Sequence, residues 1–136
     1  MSSISSIAVS GLNAATRRLE VSASNIANQQ STGALPGVNS TVPAGAPPAY
    51  KPLQVNQAEV PAGGTQTSLR TISPATVPVS DPQAPFANAD GMVAAPNVDL
   101  AQEFIGQMAA KYSHAANLAS LKADRDMSKA LLDATA

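Results

Sequence analysis

All eleven prolines of this chain fall between Pro36 and Pro96. No other feature constrains the fold as much. Proline removes a backbone donor and its ring clashes with the preceding turn of a helix. The first 35 and last 40 residues are free of it and carry Ala, Leu, Ser and Asn, with apolar residues at helical spacing. The expected fold is mainly α: long N- and C-terminal helices packed as a discontinuous coiled-coil-like core domain, with a Pro-rich central insert that is irregular or a small β-hairpin. The sequence divides into an N-terminal arm at residues 1–34, the insert at 35–96 and a C-terminal arm at 97–136. An amphipathic helix gains most of its stability by burying its stripe against a neighbour. The arms are therefore expected to pair with each other or with other subunits, which points to assembly rather than catalysis.

In the N-terminal arm, Ile4, Ile7, Ala8, Gly11, Leu12, Ala15, Leu19, Ser22 and Ile26 recur three and four apart, on one side of a helix. Ser10, Asn13, Arg17, Glu20 and Ser24 lie opposite. Gly11 costs about 1 kcal/mol against alanine in a helix interior, so it marks either close backbone approach or tolerated flexibility. Turn-prone Gln29-Gln30-Ser31-Thr32-Gly33 supplies the stop. The C-terminal arm opens at Asn97 or Asp99, either of which can cap a helix, with Glu103 near the positive end of the dipole. Phe104, Ile105, Met108, Tyr112, Ala115, Leu118, Ala119, Leu121, Leu131 and Leu132 supply an apolar face, which drifts after Leu121 as Lys122, Arg125 and Lys129 intrude. Such a helix reaches about 50 Å and invites coiled-coil or lateral packing.

Within the insert, residues 50–60 and 65–79 read as strands, and β-branched residues in the second fit a pleated surface. Gly63-Gly64 between them is a hairpin turn. Pro52, Pro61, Pro74 and Pro78 restrict these strands to edges or interrupt them. The flanks at 36–48 and 81–95 read as loop or polyproline-like linker, and disorder of the whole insert in the monomer is the alternative.

The net charge is −1 and charged residues make up 12% of the chain. Arg17-Arg18 is the one adjacent basic pair and reads as a solvated helix face, so the clustered positive footprint of a nucleic-acid binder is missing. The helices lack the Lys/Arg-rich polar face and bulky aromatic anchors of a membrane-surface protein. No apolar run is long enough to span a bilayer, so no stable membrane insertion is expected. The first sixteen residues carry no positive side chain, and serines interrupt any apolar core, so a cleavable secretory signal is not expected. The chain has no cysteine. His114 is the single histidine and lacks the converging donors that a metal site needs. Asp124 and Asp126 are expected to contact Lys122, Arg125 or Lys129 along their own helix. No nucleophile–base constellation or phosphate-binding glycine motif is present. No enzyme activity, catalytic residue, cofactor or metal is expected.

Two segments together resemble the flagellar basal-body rod protein family, most closely its proximal-rod type. Ser10-Gly11-Leu12-Asn13-Ala14 leads into Leu19-Glu20-Val21-Ser22-Ala23-Ser24-Asn25-Ile26-Ala27-Asn28 and closes on Thr32-Gly33. Near the other end, Asn88-Ala89-Asp90-Gly91-Met92-Val93 precedes Pro96-Asn97-Val98-Asp99-Leu100, followed by Tyr112, Ala116-Asn117-Leu118 and Leu121-Lys122. The insert departs from the pattern in its richness in Pro and Ala, as do Gln29-Gln30 in the turn after the first helix. The resemblance implies that the terminal helices form an axial core domain with the insert facing outward. It implies a structural subunit of the periplasmic rod, assembling with other rod subunits and copies of itself. It also implies delivery by the flagellar type III export apparatus, without signal cleavage. The expected assembly interface is Leu12, Leu19, Asn25, Ile26, Asn28, Phe104, Met108, Tyr112, Asn117, Leu118 and Leu121. The alternative is a soluble helical adaptor or regulator linked to flagellar export.

Overall fold

A computed structural model describes residues 3–36 and 44–135. Helix α1 (Ser3–Ala27) is followed by strands β1 (Leu53–Glu59), β2 (Thr65–Thr71), β3 (Thr76–Ser80) and β4 (Met92–Pro96), and then by helix α2 (Leu100–Thr135). The helices are antiparallel: Ser5 of α1 bonds to Asp124 of α2, and Ser22 Oγ donates to the Glu103 carbonyl at 3.3 Å. The two long helices thus lie where the proline-free arms place them.

Both helix ends follow from local chemistry. Asp99 caps α2, its carboxylate accepting from the amides of Ala101 at 2.9 Å and Gln102 at 3.2 Å. The other expected cap, Asn97, instead donates its side-chain amide to the Pro74 carbonyl at 2.9 Å. At the end of α1, the Asn28 amide and side chain both donate to the Ser24 carbonyl, at 3.1 and 2.9 Å. The turn then passes through Gln29 and Gln30, as the sequence requires.

The packing of α2 shows which of its stripes faces α1. Its least exposed residues are Leu100, Glu103, Gln107, Ala110, Ser113, His114, Asn117, Leu121 and Asp124, while Phe104, Ile105, Met108, Tyr112 and Leu118 are exposed. The inward stripe is therefore small or polar apart from Leu100 and Leu121, and the larger apolar stripe faces outward. The reason lies in α1, whose buried residues Ala8 and Ala15 flank Gly11, so the axes approach too closely for bulky side chains at the seam. Asp124 belongs to this seam too. It is buried against Ser5 of α1 rather than turned toward the basic residues of its own helix.

The insert forms two antiparallel ribbons. In the first, β1 pairs with β2 in register Leu53↔Thr71 to Glu59↔Thr65. The turn between them uses Gly63 at φ +88° and Gly64 at φ +90°, where a side chain would be strained. The Ile72 amide donates to Pro52 O and the Val60 amide to Gly64 O, so even-numbered residues carry the ladder bonds. Odd-numbered side chains share one face, with Leu53, Val55, Thr65 and Thr67 partly buried, while Gln54, Asn56, Gln66, Ser68 and Arg70 on the other are exposed.

The segment at 65–79 is two strands rather than one. It breaks at Ser73-Pro74, and β3 pairs with β4 from Thr76↔Pro96 to Ser80↔Met92. β4 also corrects the linker expected at 81–95, of which residues 92–95 are strand. Pro78 and Pro96 do not interrupt this ladder. Its bonds run through odd-numbered residues, as Asp81 N to Gly91 O and Asn97 N to Ala75 O show, so neither missing N–H is needed. On its other edge β4 exchanges two hydrogen bonds with Gly33: Gly33 N to Ala94 O at 2.9 Å and Ala94 N to Gly33 O at 2.8 Å. Residues 31–34 are held in turn by 47–50, through Ala34 N to Pro47 O and Tyr50 N to Ser31 O, both 3.0 Å. Val93, Ala94 and Ala34 close this layer, with Val93 fully buried. Of the expected linker at 36–48, residues 37–43 lie outside the described residues.

Candidate assembly surface and the joint behind it

The outward face of α2 begins at Ala101 and continues through Phe104, Ile105, Met108, Tyr112, Ala115 and Ala119, three or four residues apart except for the adjacent Phe104 and Ile105. At 100° per residue these positions lie opposite Glu103, Ala110, Asn117 and Asp124. Ile105 is 63% exposed and Tyr112 73%. Beside this stripe, Leu19 of α1 joins Phe104, Gln107, Met108 and Lys111 around a largely apolar depression of about 380 Å³. Where Ser5 meets Asp124 the helices are still paired. Beyond Asp126, α2 runs past the described start of α1, carrying exposed Met127, Leu131 and Leu132. Together with exposed Ile4 and Ile7, these make that end of the helix pair apolar as well.

Of the residues expected at the interface, Phe104, Met108, Tyr112 and Leu118 lie on exposed surface, and Leu19 is half-buried at its edge. Leu12, Ile26 and Leu121 are half-buried. Asn28 is occupied in closing α1, and Asn117 nests against Gly11 and donates to its own helix at Ser113 O, 2.8 Å.

Asn25 is 1% exposed and every hydrogen-bonding position of its carboxamide is filled. Oδ1 accepts from the Leu53 amide at 3.0 Å and the Tyr50 hydroxyl at 3.1 Å. Nδ2 donates to the Leu53 carbonyl at 2.8 Å and to Glu103 Oε1 at 2.7 Å. Leu53 is odd-numbered, so its free N–H and C=O point off the ladder, and Asn25 pairs with them as a neighbouring strand would. Farther along the same stripe of α1, Arg18 donates to Gln57 Oε1 at 2.5 Å and Ser10 Oγ accepts from the Thr65 amide at 3.1 Å. The hairpin is thus fastened to α1 at three points. Arg18 is therefore no free solvated cation; Arg17, which pairs with Glu20 at 3.1 Å, remains on the exposed face.

Sequence reasoning missed Tyr50, Leu53 and Glu103 as members of this joint. Their partner Asn25 is among the residues expected at the assembly interface, but here it is buried and bonded within the chain. Glu103 does belong to the 3–4 repeat that becomes the seam, but polarity hid it among apolar candidates. Among the described residues, no helix is long and apolar enough to cross a membrane, and no three His, Cys, Asp or Glu side chains converge to hold a metal ion.

The comparisons with known proteins fit this geometry. Residues 6–34 match the family described as flagella basal body rod protein, a span that covers α1 from Ser6 onward and the turn and Gly33 bridge after it. The chain is similar to the flagellar basal-body rod protein FlgC of Escherichia coli O157:H7, 36% identical over 126 residues, spanning 89% of this chain and 87% of that one. FlgC of Salmonella typhimurium strain LT2 matches to the same extent. FlgC of Agrobacterium fabrum is 31% identical over 139 residues, covering 98% of this chain and 94% of its own. With relatives this similar along nearly the whole length of both chains, this chain belongs to the flagellar basal-body rod protein family.

Proposed function

We propose that this chain is a structural, non-enzymatic subunit of the bacterial flagellar basal-body rod, assembling through its terminal helices into the helical drive-shaft needed for motility. The observation that carries this reading is the reversed amphipathicity of α2: its small and polar stripe packs on α1, and its apolar stripe of Phe104, Ile105, Met108 and Tyr112 faces outward. Exposure of so continuous an apolar stripe is the mark of an interaction surface. In the rod, copies of this chain and other rod subunits cover it, and the helices complete a coiled-coil-like axial core. A patch at one end of the helix pair and a depression near the other give contacts that do not close on themselves, and such contacts propagate as a helical array.

The insert takes the outward position, with the polar face of the hairpin turned away from the helices. The flagellar type III export apparatus delivers the chain to the periplasmic rod with its N-terminal residues retained. Ser5 already belongs to the helical seam, so removing that segment would strip α2 of packing. Mass spectrometry of purified hook–basal bodies tests the reading. The intact chain, still carrying residues 3–27, is expected there. Recovery from the cytoplasm alone would favour the export-linked adaptor.

A further inference from the structure

We propose that Asn25 is a conditional joint: the hairpin docks firmly on α1 only when the first turn of α2 is docked as well. Three segments distant in sequence meet at this one side chain: α1, which carries it, Tyr50 with Leu53 at the start of the hairpin, and Glu103 in the first turn of α2. A buried carboxamide is stable in one orientation only if both its donors and both its acceptor positions agree. Here Leu53 fixes which end is nitrogen, and the Glu103 carboxylate supplies the acceptor for the second N–H. Withdraw α2 and that N–H loses its partner while remaining under the hairpin, which weakens the amide's hold on Leu53. The Ser22 hydroxyl, three residues earlier on α1, holds the Glu103 carbonyl and keeps this carboxylate in place.

The coupling runs both ways, because linkage between two docking events is reciprocal. Loosening the hairpin side must loosen α2, and the reverse. The consequence is that covering the outer face of α2, which favours its docked position, also orders the hairpin against α1. The joint itself does not depend on the nature of the covering partner, so the proposal stands or falls apart from the rod assignment.

Residue-resolved hydrogen exchange on the full chain tests it. Glu103→Ala removes the acceptor contributed by α2, and is expected to speed exchange of the Leu53 amide about tenfold, the loss of one charge-assisted bond. Glu103→Gln keeps an acceptor oxygen and is expected to restore protection to within about threefold of wild type. Tyr50→Phe, which removes a bond to Asn25 and leaves α2 itself unaltered, is expected to speed exchange of the Glu103 amide, which donates to Asp99 O in the first turn of α2. The Ala110 amide in the middle of α2 serves as the control and is expected to stay protected in all three variants. Wild-type protection of Leu53 in Glu103→Ala overturns the proposal. So does loosening of Ala110 to the same degree as Leu53, because the effect is then general unfolding rather than a joint.

Discussion

Gly11 and Asn117 share one notch in the helical seam: a Cβ added at Gly11 would lie 2.3 Å from Asn117 Oδ1 and 2.6 Å from its Cγ. The glycine is therefore there for close approach, not for flexibility. Asn117 cannot swing aside without cost, since its Nδ2 is tied to the Ser113 carbonyl.

This relationship predicts opposite outcomes at two helical glycines. Gly11→Ala gains about 1 kcal/mol of helix propensity but displaces a half-buried amide, which costs about 1–3 kcal/mol. Net destabilisation of about 1 kcal/mol is expected. In an Asn117→Ala background the same change should instead stabilise by about 1 kcal/mol, a coupling that a double-mutant cycle in urea measures directly. At Gly106 an added Cβ meets nothing within 4 Å, so Gly106→Ala should stabilise the chain by about 1 kcal/mol without any second change. Equal effects at Gly11 and Gly106 would contradict the notch.

How much of this was legible in the sequence depends on what set each position. Proline exclusion marks the helices, and Gly63-Gly64 marks the hairpin turn, because both are local backbone constraints. Asp99 is legible as a cap for the same reason. The orientation of α2 is not. Periodicity identifies an apolar stripe but not whether it faces a neighbour in the same chain, and here Ala8, Gly11 and Ala15 claim the seam for small residues. The assignment of 92–96 to a strand was hidden by Pro96 and by the short, Ala-rich run before it. Only the pairing pattern reveals that Pro96 sits where no N–H is needed. Asn25 carries no sequence mark of burial, because its four hydrogen bonds go to two segments far from it in sequence, at Tyr50 and Leu53 and at Glu103.

Gly33 gives a sterner test of close approach. A Cβ there would lie 2.1 Å from the Ala49 nitrogen and 2.4 Å from the Pro48 carbonyl carbon, both backbone atoms that cannot rotate away. Gly33→Ala must separate the 31–34 segment from 47–50 or from β4, and loses part of the two-bond bridge to Ala94. A destabilisation of about 3 kcal/mol is expected, read as a lowered urea midpoint with an unchanged slope. A shift below 0.5 kcal/mol would mean that residues 47–50 do not pack against Gly33.

The Asp99 cap separates hydrogen bonding from charge. Asp99→Ala exposes the amides of Ala101 and Gln102 at the start of α2 and should cost about 1 kcal/mol. Asp99→Asn keeps the side-chain oxygen and should cost only a few tenths. Thermal unfolding of the two variants side by side distinguishes them. Equal losses would assign the effect to the helix dipole instead of the cap.

The outer face of α2 is where folding and assembly part company. Tyr112 is 73% exposed and Ile105 63%, and surface substitutions away from caps and buried networks usually change stability by less than about 0.5 kcal/mol. The double variant Ile105→Ser, Tyr112→Ser should therefore keep the helical content and unfolding midpoint of the wild-type chain. In the rod reading it should nevertheless fail to enter basal bodies and should not restore swimming to a strain lacking the gene. Ala110→Leu reverses the pattern. Ala110 is fully buried, and a larger side chain there forces the helices apart at a cost of about 1–3 kcal/mol, so its assembly defect should come with a fall in stability. Normal motility in the Ile105→Ser, Tyr112→Ser strain would remove the outer face from the assembly surface and leave the terminal patch of Ile4, Ile7, Leu131 and Leu132 to carry it.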